Sequence, residues 1–158
     1  MLSEFWRDST APFVRALPFD IRRQLDAACQ GPLEQRIDQL WAIRTQEAAC
    51  LPVYYLLHQL HALRAEHALA ERAALAGLAE AGRQCGLPES VTYTQLRAAV
   101  DFNADGPARF WLLILSALSS TWRASGQGAR AQRLRDWVAC CDPHCSLGTD
   151  VLCPPPSA

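Results

Sequence analysis

The side chains best suited to chemistry in this chain include the oxygen ligands of a short loop, 101–106. Its letters read D-x-N-x-D-G, the first half of a calcium-binding loop, in which oxygen ligands alternate and glycine permits a sharp turn. The second half departs from this pattern, because Leu112 stands where a bidentate glutamate belongs and Pro107 occupies another ligand position. The same letters suit the caps of two neighbouring helices. We therefore expect capping, with a degenerate calcium site as the alternative, formed by Asp101, Asn103 and Asp105.

A second candidate for metal chemistry is a cluster of thiols and an imidazole near the end of the sequence. Its members are Cys140, Cys141, His144, Cys145 and Cys153. Thiolates and imidazoles are the donors that structural zinc prefers. However, the cluster contains no C-x-x-C pair, and a disulfide from Cys153 to Cys141 or Cys145 would require export. We expect cysteines without a metal, and structural zinc is the alternative.

Two histidines, His58 and His61, stand three residues apart and would share one face of a helix. They could ligate a metal or serve a cofactor-free enzyme, but no E-x-x-H motif accompanies them. The hydroxyls of residues 116–121 lack a nearby His/Asp arrangement in sequence and are interpreted as packing residues. The chain also has no G-x-S-x-G, G-x-x-x-x-G-K or G-x-G-x-x-G motif. The sequence gives little support for an enzyme, and we assign no catalytic residue and no cofactor.

A cluster of arginines in and just before the last helical segment is the remaining polar feature. The cluster contains Arg123, Arg130, Arg133 and Arg135, and the first acid after it is Asp136. Such a face is ordinarily solvated. The sharper hypothesis is an acidic partner, or a phosphate at the start of the helix that carries the cluster.

Composition indicates one globular domain. The 158 residues are 50% hydrophobic and 20% charged, and the formal net charge of -1 gives no reason to expect nucleic acid as a partner. All 15 basic residues are arginine, which we interpret as the codon bias of a GC-rich bacterial genome. The N-terminal residues lack the apolar region of a signal peptide, and the longest apolar run, 110–118, is too short to span a membrane. We expect a cytoplasmic protein.

Periodicity predicts that the elements positioning these residues are all helices. We expect a single-domain bundle of about six helices within 1–142, followed by an irregular Cys/Pro-rich tail, 143–158. The predicted helices cover about 18–29, 32–50, 52–85, 90–102, 107–124 and 129–141.

Two of these helices should form the centre of the bundle. Residues 52–85 are expected to be one long central helix, because Pro52 can open it, an apolar stripe continues along it, and Gly86 can close it. Residues 107–124 are apolar on nearly all sides, which predicts a buried helix.

Apolar helical surface without converging reactive groups favours protein binding. Tyr54 and Tyr55 on the central helix, together with the arginines Arg123, Arg130 and Arg133, are the predicted contact residues. We therefore expect a bacterial cytosolic adaptor, chaperone or regulator that holds a helical partner protein, and self-association is equally compatible. The alternative is a metal-binding protein that uses the zinc or calcium residues named above.

Overall fold

The computed structural model describes residues 17–87, residue 102 and residues 106–141, and this part of the chain is all-helical. The helices are α1 (Phe19–Gln30), α2 (Leu33–Gln46), α3 (Leu51–Leu63), α4 (His67–Cys85), α5 (Pro107–Ala124) and α6 (Gly128–Cys141). The predicted all-α bundle is confirmed. The helix predicted over 90–102 and the tail 143–158 lie outside the described residues, apart from Phe102.

Each helix packs on a sequence neighbour, and α4 lies between α3 and α5. The helix α3 also contacts α5, which brings the middle of the chain together around one core. This core extends from Ile21 on α1 to Ala131 on α6 without a break. Within the described residues, no helix is long and apolar enough to cross a membrane.

The single long helix predicted over 52–85 is wrong, because the chain breaks and reverses at residues 64–66. The end of α4 returns to the start of α3, where the Gln84 side-chain amide donates a 3.0 Å hydrogen bond to the Ala49 carbonyl. The two helices therefore form an antiparallel hairpin. Periodicity could not show the break, because apolar positions continue on both sides of it and neither glycine nor proline marks it.

Small residues on α4 explain why the hairpin closes tightly. A stripe of alanines and glycines on α4 is buried. At Gly77 a Cβ atom would lie 2.8 Å from the Tyr54 Cβ atom, closer than a real Cβ contact allows. The missing side chain lets α3 approach closely.

The predicted buried helix has its expected bounds as α5, 107–124. Pro107 lies in its first turn, where a proline costs no hydrogen bond. At the other end, Gly126 adopts a left-handed φ of 83° and the Gln127 amide donates back to the Trp122 carbonyl at 2.7 Å. This is a glycine-closed helix end of the Schellman type.

The connection between α2 and α3 is anchored by two buried side chains. The Tyr54 hydroxyl donates a 2.7 Å hydrogen bond to the Ala48 carbonyl. Cys50 is fully buried beside it, and burial raises the pKa of its thiol to about 12. A thiol in this state is unreactive at neutral pH, because the thiolate is the nucleophile.

Candidate functional site

The structure places the predicted aromatic anchors Tyr54 and Tyr55 in the interior. Their exposed fractions are 3% and 4%, and both belong to the main core. Arg44 on α2 lies against the Tyr54 ring, 5.8 Å from its centroid, which adds a cation–π contact to the burial. A partner could reach these rings only if α3 separated from its neighbours. The sequence alone did not show whether these two tyrosines would face the interior or the solvent.

An open groove on the α5–α6 hairpin contains two of the predicted contact residues, Arg130 and Arg133. Its volume is about 410 Å³. The lining residues are Trp122, Arg130, Arg133, Leu134, Asp136 and Trp137. Apolar side chains therefore lie beside cationic ones in one concave surface.

One cation of the groove, Arg130, is held by neutral partners. The Arg130 guanidinium lies over the Trp122 ring, 3.9 Å from its centroid, and donates to the Gln127 side-chain oxygen. Asp136 accepts a 2.8 Å hydrogen bond from Gln132. Within the part of the chain that the structure describes, no carboxylate forms an ion pair with Arg130 or Arg133. Their positive charge is therefore directed to solvent.

The charge of the whole hairpin has the same sign. From 107 to 141 the sequence contains five arginines and one acid, whereas residues 17–87 contain seven arginines and eight acids. Arg123, the third predicted contact arginine, is exposed in the last turn of α5 and is not part of the groove lining. It extends the positive surface beyond the groove.

The first of the two histidines is buried between α3 and α5. His58 is 2% exposed, and its Nε2 atom lies 2.7 Å from the Thr121 hydroxyl oxygen. Burial lowers the pKa of this imidazole from 6.5 to about 4, so it is neutral at pH 7. The packing role predicted for the hydroxyls of 116–121 is thus incomplete, because Thr121 also binds a histidine that is distant in sequence.

The second histidine stabilises the turn between α3 and α4. The His61 Nδ1–H donates to the Glu66 carboxylate at 2.6 Å, and the Arg64 Nε atom forms an ion pair with the other carboxylate oxygen at 2.8 Å. The hydrogen bond from His61, with the Arg64 charge beside it, lowers the pKa of Glu66 below its ordinary value. Neither His58 nor His61 lines the groove. Their arrangement supports the fold and offers a substrate no open approach.

The predicted metal ligands are mostly outside the described residues. Cys140 is exposed and Cys141 is buried at the end of α6, while His144, Cys145 and Cys153 are not described. Asp101, Asn103 and Asp105 are likewise outside the described ranges. Among the residues that are described, no three histidine, cysteine or acidic side chains come together as a metal site. Zinc and calcium binding remain predictions.

Sequence reasoning assigned the apolar residues of the groove to the core. The apolar spacing of α5 and α6 favours an inward position for Trp122, Leu134 and Trp137. Trp122 belongs to the core, Leu134 and Trp137 are half-buried, and all three also line the groove. A signal was present in the spacing of α6: Arg130, Arg133 and Trp137 recur at intervals of three and four, which places them on one helix face. Aromatic and arginine side chains on a common face are typical of interfaces.

No protein-family model, no curated protein and no solved structure matches this chain.

Proposed function

We propose that this protein is a protein-binding module whose docking surface is the groove on the α5–α6 hairpin. The observation that carries the proposal is the pairing of cations without ion-pair partners, Arg130 and Arg133, with an apolar floor built from Trp122, Leu134 and Trp137. Arginine and tryptophan are the residue types that most often supply binding energy at protein interfaces.

The chemistry of the groove selects the kind of partner. An acidic side chain that approaches Arg133 gains a charge-assisted hydrogen bond, because no carboxylate of the described residues forms an ion pair with this guanidinium. An apolar side chain gains by covering the half-buried Leu134 and Trp137. The favoured partner is therefore a helical segment with acidic and large apolar side chains on one face.

The setting of the groove on the molecule agrees with a docking role. In the described residues α6 buries only Ala131 and Cys141, so the described part of the fold leaves most of this helix uncovered. The excess of arginine over acid along 107–141 would also steer an acidic partner toward the hairpin before contact.

The cellular role that we propose is that of an adaptor, chaperone or regulator in the bacterial cytoplasm. The all-arginine basic composition supports a GC-rich bacterial source. The buried Cys50 thiol is compatible with a reducing compartment. Cell fractionation with an antibody against the protein tests the location.

The docking proposal is tested with a defined probe, an amphipathic helical peptide of glutamate and leucine, and calorimetry on the full chain. We expect binding that weakens as salt is added, and a loss of about tenfold or more in affinity for Arg133→Glu. The matched control is Arg72→Glu, which reverses an exposed arginine on α4 outside the groove and should leave affinity unchanged.

Two further measurements separate charge from apolar contact. A lysine–leucine peptide of equal length should bind much more weakly than the glutamate–leucine peptide. Trp137→Ala should weaken binding of the acidic peptide without removing its salt dependence. Equal binding of both peptides, or equal losses for Arg133→Glu and Arg72→Glu, would exclude the groove as a selective docking surface.

A further inference from the structure

The turn between α3 and α4 contains a strained alanine. Ala65 has a φ of 56° and is the one non-glycine residue with a positive φ among the residues described. In this left-handed region the Cβ atom crowds the following carbonyl oxygen, so residues other than glycine are disfavoured there. Structure around the turn must offset this strain.

The same backbone arrangement closes two other helices, and there the sequence supplies glycine. At the end of α4, Gly86 has a φ of 70° and the Leu87 amide donates to the Gly82 carbonyl at 2.9 Å. The end of α5 has the corresponding geometry at Gly126. At the end of α3 the Glu66 amide donates to the His61 carbonyl at 2.9 Å, but Ala65 occupies the glycine position. The strain is therefore specific to the α3–α4 turn.

The residues of this turn also favour a different structure. Residues 64–67 read Arg-Ala-Glu-His and contain neither glycine nor proline. Alanine, arginine and glutamate are among the best helix formers. Apolar positions at helical spacing continue from α3 into α4, so nothing local prevents one helix from running through 51–85. In that helix Ala65 would be unstrained.

Side-chain contacts within the α3–α4 turn oppose the formation of this continuous helix. The Glu66 carboxylate accepts a hydrogen bond from His61 at 2.6 Å and forms an ion pair with Arg64 at 2.8 Å. In a continuous helix, residues 64 and 66 would point in different directions, and residues 61 and 66 would not be the neighbours that spacings of three or four make. The α3–α4 turn is therefore stabilised by Glu66, whereas the continuous helix is favoured by the helix propensity of Ala65.

We propose that residues 64–66 are a hinge that opens into one continuous helix, so that two copies of the chain exchange everything from α4 onward and form a domain-swapped dimer. Contacts across α3 and α4, such as Gly77 against Tyr54, would form again between the copies. The interior is thus nearly the same in monomer and dimer, and the relative stability of the two hinge conformations determines the equilibrium between them. Short connections under strain are known to favour such exchange.

The test refolds the full chain from urea at high protein concentration and measures mass by light scattering after size exclusion. We expect monomer and dimer for the natural sequence. Ala65→Gly should lower the dimer association constant by roughly a hundredfold, because glycine removes the strain of the turn and weakens the continuous helix at both hinges. Glu66→Gln should raise the constant by about tenfold, because it weakens the contacts of the turn.

Controls distinguish the hinge from other effects. Glu71→Gln changes an acid to an amide on α4 outside the turn and should behave as the natural sequence. Arg133→Glu alters the groove and should not change the dimer fraction, so this inference and the docking proposal can fail separately. A swapped dimer should also persist for hours after dilution in the cold, because separation requires unfolding.

Three results would overturn the proposal. One is a monomer at every concentration for both the natural sequence and Glu66→Gln. Another is a dimer whose fraction does not respond to Ala65→Gly. The third is a dimer that dissociates within seconds of dilution, which would indicate association through surfaces.

Discussion

At the scale of single residues, the buried histidine His58 makes stability depend on pH. Its pKa is lowered from 6.5 to about 4 on folding, so between these values the unfolded chain binds more protons than the folded one. The stabilising contribution is present above pH 6.5 and is lost as the pH falls toward 4. From the size of the shift, this loss is on the order of 3 kcal/mol.

Urea unfolding at a series of pH values measures this dependence. The variant His58→Gln cannot titrate in this range, so it should lose clearly less stability than the natural sequence between pH 6.5 and 4, whatever its stability at pH 7. Carboxylates such as Glu66 contribute at the acid end in both proteins, and the difference between the two curves isolates the imidazole. Superimposable curves would show that His58 is not the titrating group.

A second prediction at the residue scale compares two glycines of α4. Gly77→Ala should destabilise the fold by about 1–3 kcal/mol, because the new Cβ atom would lie 2.8 Å from the Tyr54 Cβ. Gly82 is also buried, but its nearest neighbour would be 3.9 Å away. Gly82→Ala should therefore stabilise the helix by up to about 1 kcal/mol. Thermal unfolding of both variants would refute the close-packing account if their melting temperatures moved in the same direction.

At the scale of the elements, the ends of helices explain where prediction from sequence succeeded. The bounds of α5 were predicted because Pro107 marks its start and Gly126 closes its end. The break after α3 was missed because Ala65 performs a glycine's role without being one. The reversal also brings Tyr54 close to Gly77, a long-range contact that no local pattern contains.

The closing turn of α5 yields a prediction at this scale. Gly126→Ala should cost about 1 kcal/mol, because its φ of 83° is unfavourable for a residue with a Cβ atom. Gly128, two residues later, has no neighbour within 4 Å of a new Cβ and no positive φ. Gly128→Ala should be neutral or slightly stabilising. Chemical denaturation measures both, and equal effects would contradict the conformational explanation.

At the scale of the whole molecule, the continuity of the core predicts cooperative unfolding. The buried cluster includes residues from every described helix, and α3 is in contact with α2, α4 and α5. We expect tryptophan fluorescence and far-ultraviolet circular dichroism to report one coincident transition. Separate transitions would mean that α1 and α2 unfold as a unit of their own.

The charged half of the candidate site could be predicted from the sequence, whereas its apolar half depends on how the helices pack in the whole molecule. Charge patterning in the sequence identified Arg130 and Arg133, because like charges on one helix face remain in solvent. The apolar half of the groove was not found, because Trp122 and Trp137 have the same spacing as core residues. Only the placement of α6 on the end of α5 decides that these rings border a groove.

The reactivity of the buried thiol at the α2–α3 connection can report how often the folded protein opens. Cys50 is fully buried with a pKa raised to about 12, whereas Cys140 is exposed on α6. A thiol-specific reagent should therefore modify Cys140 promptly, and should reach Cys50 only in the moments when the hairpins separate. The labelling rate at Cys50, measured by mass spectrometry, would then give the frequency of this opening in the native protein.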